Sequence, residues 1–361
     1  MGMENSTKLG TAFDLERIQA FSGQVVNDLS AGMSGVLVQI GEELGLYRAM
    51  RKLGPTNAKI LAEETGTFER YVQEWLNNQA AGGYITYNVE LQTYHLPEEH
   101  ALVLADGNSP FFMAPGFQVV SSLWYDKDKI VKDFKEGKGI GWHQHHHNLF
   151  FGTEAFFRSG YRANLVSEWI PDLEGIEDKL IKGGKVADIG CGHGASTILM
   201  ATKYPNSTFY GFDYHAESIE TAKLRAKEVG LSNIVFKVAS AMDFKDFGFD
   251  LICYMDAFHD FGNPLEALQY AKNKLNENGS IMLVEPASFD ELEKNFNPIG
   301  RMFYAASTTL CVPHAHSQDG GYCLGAQAGP ERVRRIVEEA GYNAFKIAQR
   351  TPVNLIYEIR K

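Results

Sequence analysis

Lys185-Val186-Ala187-Asp188-Ile189-Gly190-Cys191-Gly192-His193-Gly194 decides how the chain is read. A short strand pattern runs into a loop with glycine at every second position, and Ala195 to Lys203 behind it has helical spacing. Small residues let a backbone turn press against a ligand, while the following helix aims its N-terminal N–H groups at it. A glycine pair alone is weak evidence, but here the context agrees. Asp188 stands two residues ahead of the first glycine, and Asp213 ends the next strand 19 residues after Gly194. A carboxylate placed there can hold both hydroxyls of a ribose. The competing reading is a dinucleotide loop, whose G-x-G-x-x-G spacing puts the third glycine one position later.

Working outward, the chain alternates short β runs with helical patterns, the signature of a parallel α/β sheet. Strands are predicted over Lys185–Ile189, Thr208–Phe212, Ile234–Ala239, Phe249–Met255 and Ser280–Glu285. Helices fit Ala195–Lys203, Ala216–Val229, Pro264–Leu275 and Pro330–Ala340, and Ala344–Gln349 with Asn354–Arg360 reads as a hairpin at the sheet edge. Upstream, apolar residues at three- and four-residue steps predict helix from Asp14 to Met50, then from Asn57 to Glu64 and from Phe68 to Ala81. Tyr84–Tyr87 and Thr93–Leu96 follow as a hairpin. Helices followed by a hairpin make a winged-helix module, whose usual work is reading DNA. Residues 36–100 carry five Lys/Arg against nine Asp/Glu, and the groove-entering helix has Glu69 and Glu74 against Arg70. That sign opposes nucleic-acid binding.

The expected organisation is a helical winged-helix domain over 1–100, an aromatic-rich helical connector and pocket wall over 101–180, and an α/β domain over 181–361. The 361 residues are 44% hydrophobic and 22% charged, ordinary for a globular chain, and the net charge of −11 argues against nucleic acid and anionic lipid as partners. No apolar run approaches the ~18–20 residues of a membrane span. Cys191, Cys253, Cys311 and Cys323 are far apart with no CxxC pair, which fits free thiols in the cytoplasm. Met1 to Ser6 fits a loose myristoylation pattern, read here as incidental.

The G-x-G-x-G loop with Asp188 and Asp213 resembles the class I S-adenosylmethionine-dependent methyltransferases. Phe249-Asp250-Leu251-Ile252, Leu275-Asn276-Glu277-Asn278-Gly279 and Glu285-Pro286 extend the resemblance. It implies a Rossmann-like sheet with helices on both faces. It also implies a cofactor bordered by Asp188, Gly190, Gly192, Gly194, Asp213, Tyr214, Ala241 and Asp256. Many relatives end the third strand in an Asp that accepts from adenine. Here Ser240 stands at that place and Asp243 three residues on, and either can meet the adenine edge.

The whole layout is similar to small-molecule O-methyltransferases of the plant type and to related bacterial enzymes, whose winged helix builds a dimer. Asp256-Ala257-Phe258-His259-Asp260 and Gly325-Ala326-Gln327-Ala328-Gly329 carry that likeness. It implies a homodimer through residues 15–100, a small-molecule acceptor, and His259 as general base with Asp260 or another carboxylate fixing its tautomer. S-adenosylhomocysteine would be the product. The alternative is a transcriptional regulator that binds S-adenosylmethionine and uses the winged helix. Charge and His259 both speak against it.

His143 and His147 would share a helix face at i, i+4, but no Glu or Cys joins them at ligand spacing and a sulfonium donor needs no metal. No metal is expected. His314 and His316 fall in a loop after the fifth strand, a position that can face substrate, and no G-x-S-x-G elbow supports a hydrolase.

Overall fold

The computed structural model describes residues 13–361, so the Met1–Ser6 pattern lies outside the described residues. Two compact units divide the chain, one up to Asp106 and one from Gly107 to Lys361. The expected connector over 101–180 is therefore not a body of its own. Its residues 107–180 fold into the second unit because Tyr161, Leu165, Trp169 and Ile170 share a buried core with Val186, Phe209 and Met282.

In the first unit, α1 (Leu15–Glu43) is capped by Asp14, whose side chain accepts from Arg17 N–H at 3.1 Å. The predicted single helix to Met50 breaks after Glu43. Gly45 takes φ 71°, a left-handed conformation that ends one helix and starts α2 (Leu46–Leu53). Asn57 caps α3 (Ala58–Thr65), and α4 (Glu69–Ala81) follows. β1 (Thr86–Asn88) and β2 (Thr93–His95) form the wing, and α5 (Glu98–Leu104) closes the unit. Trp75 lies edge-on to Tyr47 at 5.0 Å, and its indole N–H donates to Leu37 O at 2.8 Å. Tyr47 in turn donates to Gln79 at 2.6 Å, so the polar tips of both buried rings are satisfied. Along α1, Ile18, Phe21, Val25, Leu29, Met33 and Val36 are exposed.

The second unit begins with α6 (Gly116–Glu136), α7 (Asn148–Asn164) and α8 (Ile176–Lys182). The sheet strands are β3 (Lys185–Ile189), β4 (Thr208–Asp213), β5 (Ile234–Val238), β6 (Phe249–Met255), β7 (Leu275–Pro286), β8 (Ala344–Arg350) and β9 (Asn354–Arg360). Their order is β5-β4-β3-β6-β7-β9-β8, with β9 antiparallel to β7 and β8 and the first five strands parallel. Between them run α9 (Ala195–Lys203), α10 (Ala216–Glu228), α11 (Pro264–Lys274), α12 (Pro298–Ala306), α13 (Val312–His316) and α14 (Pro330–Glu339). Successive strand residues point to opposite faces. Ala187 and Ile189 therefore enter one core with Phe212 and Tyr254, and Val186 enters the other with Met200 and Leu251. Helices cover both faces. The strand order reverses between β4 and β6 on either side of β3, which opens a crevice at the carboxyl ends of these strands.

Candidate active site

A cavity of about 480 Å³ occupies that crevice, lined by the glycine loop, Asp213, Tyr214, Ser240, Ala241, Asp256 and Asp260. Gly190 and Cys191 N–H both donate to Phe212 O, at 2.8 and 3.1 Å, which ties the loop across to β4. Gly192 N–H donates to Asp213 Oδ2 at 2.9 Å, and His215 N–H to Oδ1 at 2.8 Å. Each carboxylate oxygen keeps acceptor capacity for a ligand hydroxyl. Burial raises the Asp213 pKa, and the two backbone donors oppose it. A Cβ on Gly192 would meet nothing within 4 Å, whereas one on Gly194 (φ +77°) would lie 2.6 Å from the Phe236 ring. Gly194 does not line the cavity. It lets the loop pack on β5. Gly194→Ala is expected to cost roughly 2–5 kcal/mol from left-handed strain plus overpacking. A lowered denaturation midpoint with an unchanged slope would show it.

Three expected cofactor residues take other places. Asp188 is fully buried beneath the loop, outside the cavity, where its Oδ2 accepts from Ser196 and Thr197 hydroxyls at 2.6 and 2.7 Å. It anchors the first turn of α9, and burial pushes its carboxyl up to about 6. Gly194 is the second. The third is Asp243, which also lies off the cavity and accepts from Ser240 N–H at 2.7 Å. Of the two adenine candidates, Ser240 faces the cavity and Asp243 holds its turn.

Asp256, just past β6, has φ 52°, a strained backbone for a residue with a Cβ. Its carboxylate accepts from Tyr161 O–H at 2.7 Å and Asn354 Nδ2–H at 2.6 Å, and its N–H donates to Val284 O at 2.8 Å. Burial lifts this carboxyl to about 7, against the pull of Tyr161.

His259 and Asp260 follow in a tight turn. His259 Nδ1 lies 3.0 Å from Glu285 Oε2 and Nε2 lies 3.3 Å from Asp260 Oδ1. Asp260 Oδ2 accepts from Trp142 Nε1–H at 3.0 Å. Burial alone would lower the His259 pKa, but Glu285 and Asp260 outweigh it and hold it well above the ordinary value. Asp260 lines the cavity and His259 sits just behind it. Cys311 completes this group. His259, Asp260 and Cys311 bring nitrogen, oxygen and sulfur donors within 4.8 Å of one another, a set that could hold a metal ion.

The histidine-rich stretch departs from its predicted helix. Trp142–Gln144 is a 3-10 turn and α7 starts at Asn148, so His143 and His147 share no helix face. His143 lines the cavity, and His145 is buried against Asp126 at 2.9 Å. His314 lies in α13 rather than in a loop, and it too lines the cavity. Sequence reasoning missed Glu285, Tyr161, Asn354 and Trp142. Glu285 could have been found from strand pairing, because Met255 pairs with Val284 and brings the ends of β6 and β7 together.

Two stretches of the chain match known families. Residues 180–341 match the methyltransferase domain family, and residues 32–106 match the Rv2258c-like winged HTH domain. The chain thus joins a winged-HTH module to a methyltransferase domain. It is 30% identical over 118 residues to a malonyl-[acyl-carrier protein] O-methyltransferase of Paenibacillus sp. (strain JDR-2), covering 31% of this chain and 43% of that protein. It is also 30% identical over 141 residues to a probable tocopherol O-methyltransferase of Oryza sativa subsp. japonica, covering 36% and 39%. The chain therefore spans less than half the length of these curated relatives. Human N-acetylserotonin methyltransferase in complex with SAM superposes with a TM-score of 0.69 at 16% identity, over 98% of this chain and 99% of that one. An O-methyltransferase family protein from Burkholderia thailandensis gives 0.67 at 14% identity, over 97% and 99%. These likenesses show that the fold extends across both units.

Proposed function

We propose that the chain transfers a methyl group from S-adenosylmethionine to a hydroxyl of a small, flat acceptor, and that His259 takes the acceptor's proton. The observation that carries this reading is Glu285 on His259 Nδ1, just behind Asp260 in the wall of a crevice lined by the glycine loop and Asp213. The residues fit the cofactor. Gly192 leaves open space beside the loop, Asp213 keeps acceptor capacity for two ribose hydroxyls, and Ser240 and Ala241 offer an adenine edge. When bound, the sulfonium supplies an electrophilic methyl group.

The protein's part is to hold the acceptor in line and remove its proton. Positioning of this kind supplies roughly 7–11 kcal/mol of a barrier. Glu285 accepts from Nδ1–H, which leaves the Nε2 lone pair facing Asp260 and the cavity wall. The proton leaving the acceptor hydroxyl ends on Nε2, and the imidazolium so formed is stabilised by both carboxylates. Binding of S-adenosylhomocysteine, measured by calorimetry, together with methylation of a panel of phenols tests the reading. Failure of binding would overturn it.

We also propose a homodimer through the first unit, on the support of the exposed apolar stripe on α1. Val25→Glu with Leu29→Glu is expected to convert the dimer to monomer at micromolar concentration, read by light scattering. A wild-type monomer would count against it. Among the described residues no helix is long and apolar enough to cross a membrane. The four cysteines are free, three of them buried, which supports placement in the cytoplasm.

A further inference from the structure

His314 stands in α13, directly after a π-helical turn at Ser307–Cys311. Its ring lines the cavity and is 7% exposed. The backbone N–H of Trp142 donates to its Nδ1 at 3.2 Å. An accepting Nδ1 places the ring proton on Nε2. Burial, with His145, His143 and His259 nearby, pushes the His314 pKa down to about 4 against the pull of Asp260, so the ring is neutral. With Nδ1 engaged by the backbone, Nε2–H is the ring's remaining donor on a side chain that lines the cavity.

Two aromatic neighbours flank the ring. Tyr214 lies nearly parallel to it, with centroids 6.0 Å apart at 18°, and Trp142 meets it edge-on at 6.2 Å. The chain around Trp142 is pinned to α13, since Ile140 N–H donates to Pro313 O at 2.9 Å. A Cβ on Gly139 would lie 2.2 Å from Ser317 N, which shows how closely the two segments approach. Gln318 Nε2–H donates to Asp260 O at 2.8 Å and to His314 O at 3.2 Å, tying the two residues together. One wall, tied together by these bonds, therefore presents an N–H donor, His314, beside Asp260 and His259.

We infer that His314 selects the acceptor by donating a hydrogen bond to an oxygen next to the hydroxyl being methylated. The acceptor class is then a flat ring with a hydroxyl adjacent to a carbonyl or similar oxygen. This rests on the methyl-transfer reading above. It makes His314 a specificity residue rather than a base.

The test uses the full chain saturated with S-adenosylhomocysteine and two probes, 1-hydroxyanthraquinone and 2-hydroxyanthraquinone. Only the first has the hydroxyl beside a carbonyl. Tryptophan fluorescence quenching reads binding, and kcat/KM with S-adenosylmethionine reads turnover. The wild type should favour the 1-isomer at least tenfold. His314→Phe should bring the ratio near one, and His314→Gln, which keeps a donor, should restore part of it. S-adenosylhomocysteine affinity should stay the same in all three. Equal or absent binding of both isomers to the wild type, or a preference that survives in His314→Phe, overturns the inference. A His314-dependent binding preference without methylation of either isomer supports the donor role of His314 and counts against the methyl-transfer reading on which the acceptor class rests.

Discussion

Asp213→Ala is expected to weaken S-adenosylhomocysteine binding by about 10²–10⁴-fold, because two charge-assisted hydrogen bonds of ~1.5–3 kcal/mol each are lost. The structure adds a second cause in the same direction. The carboxylate also accepts from Gly192 and His215 N–H, so its removal frees the loop that must press against the ligand. Asp213→Asn keeps the shape and one acceptor oxygen and should fall between the two. Calorimetry measures the affinity, and a melting curve in the absence of ligand checks that the fold survives. An unchanged Kd in Asp213→Ala would remove this residue from the site.

For His259→Ala the expected loss is about 10²–10⁴-fold in turnover, with S-adenosylhomocysteine affinity nearly intact. A residue that only packs would instead lower stability and affinity together. The pH profile separates the cases further. His259 must be neutral to take a proton, and its pKa is held well above the ordinary value by Glu285 and Asp260, against burial. Turnover should therefore climb with pH through an alkaline limb. Glu285→Gln removes the carboxylate on Nδ1, so protonation weakens and that limb should move to lower pH while the plateau falls. Rates measured from pH 6 to pH 10 would show whether the limb moves. A limb that stays put in Glu285→Gln would mean another group carries it.

The α/β half was legible because its signals are local. Glycines at 190, 192 and 194 mark the loop, period and length mark β3 and β6, and Pro264 and Pro330 mark helix starts. The break at Gly45 was less visible, since apolar spacing continues through it and only the left-handed φ interrupts the helix. The histidines at 143–147 suggested one helix face because helical spacing is all that sequence shows. The backbone there is instead pinned to α13, more than 150 residues downstream.

The site was legible in its residues but not in their ranks. Asp188 and Asp243 look like ligands from their positions, but Asp188 accepts from the Ser196 and Thr197 hydroxyls at the start of α9 and Asp243 from the Ser240 backbone N–H. Glu285 enters the sequence reading only through the Glu285-Pro286 match at a strand end, with no role attached, and Asn354 carries no motif. They reach His259 and Asp256 only because β7 lies between β6 and β9.

That placement of β9 also governs when the protein can finish folding on the ribosome. β7 and β8 are neighbours in the sheet only through β9, which is synthesised after both. Until residues 354–360 emerge, β7 ends in an open edge of unpaired N–H and C=O groups, with the apolar run Ile281–Val284 behind it. During that interval Asp256 also lacks its bond from Asn354, so the left-handed bend it maintains is held from one side fewer. Pairing so distant in sequence is slow to form. The nascent chain thus passes through a stage in which the glycine loop is complete while the end of the crevice beside Asp256 is still being built. Slow translation or a stall in that stretch would expose an adhesive strand edge, and such chains are natural clients for chaperones.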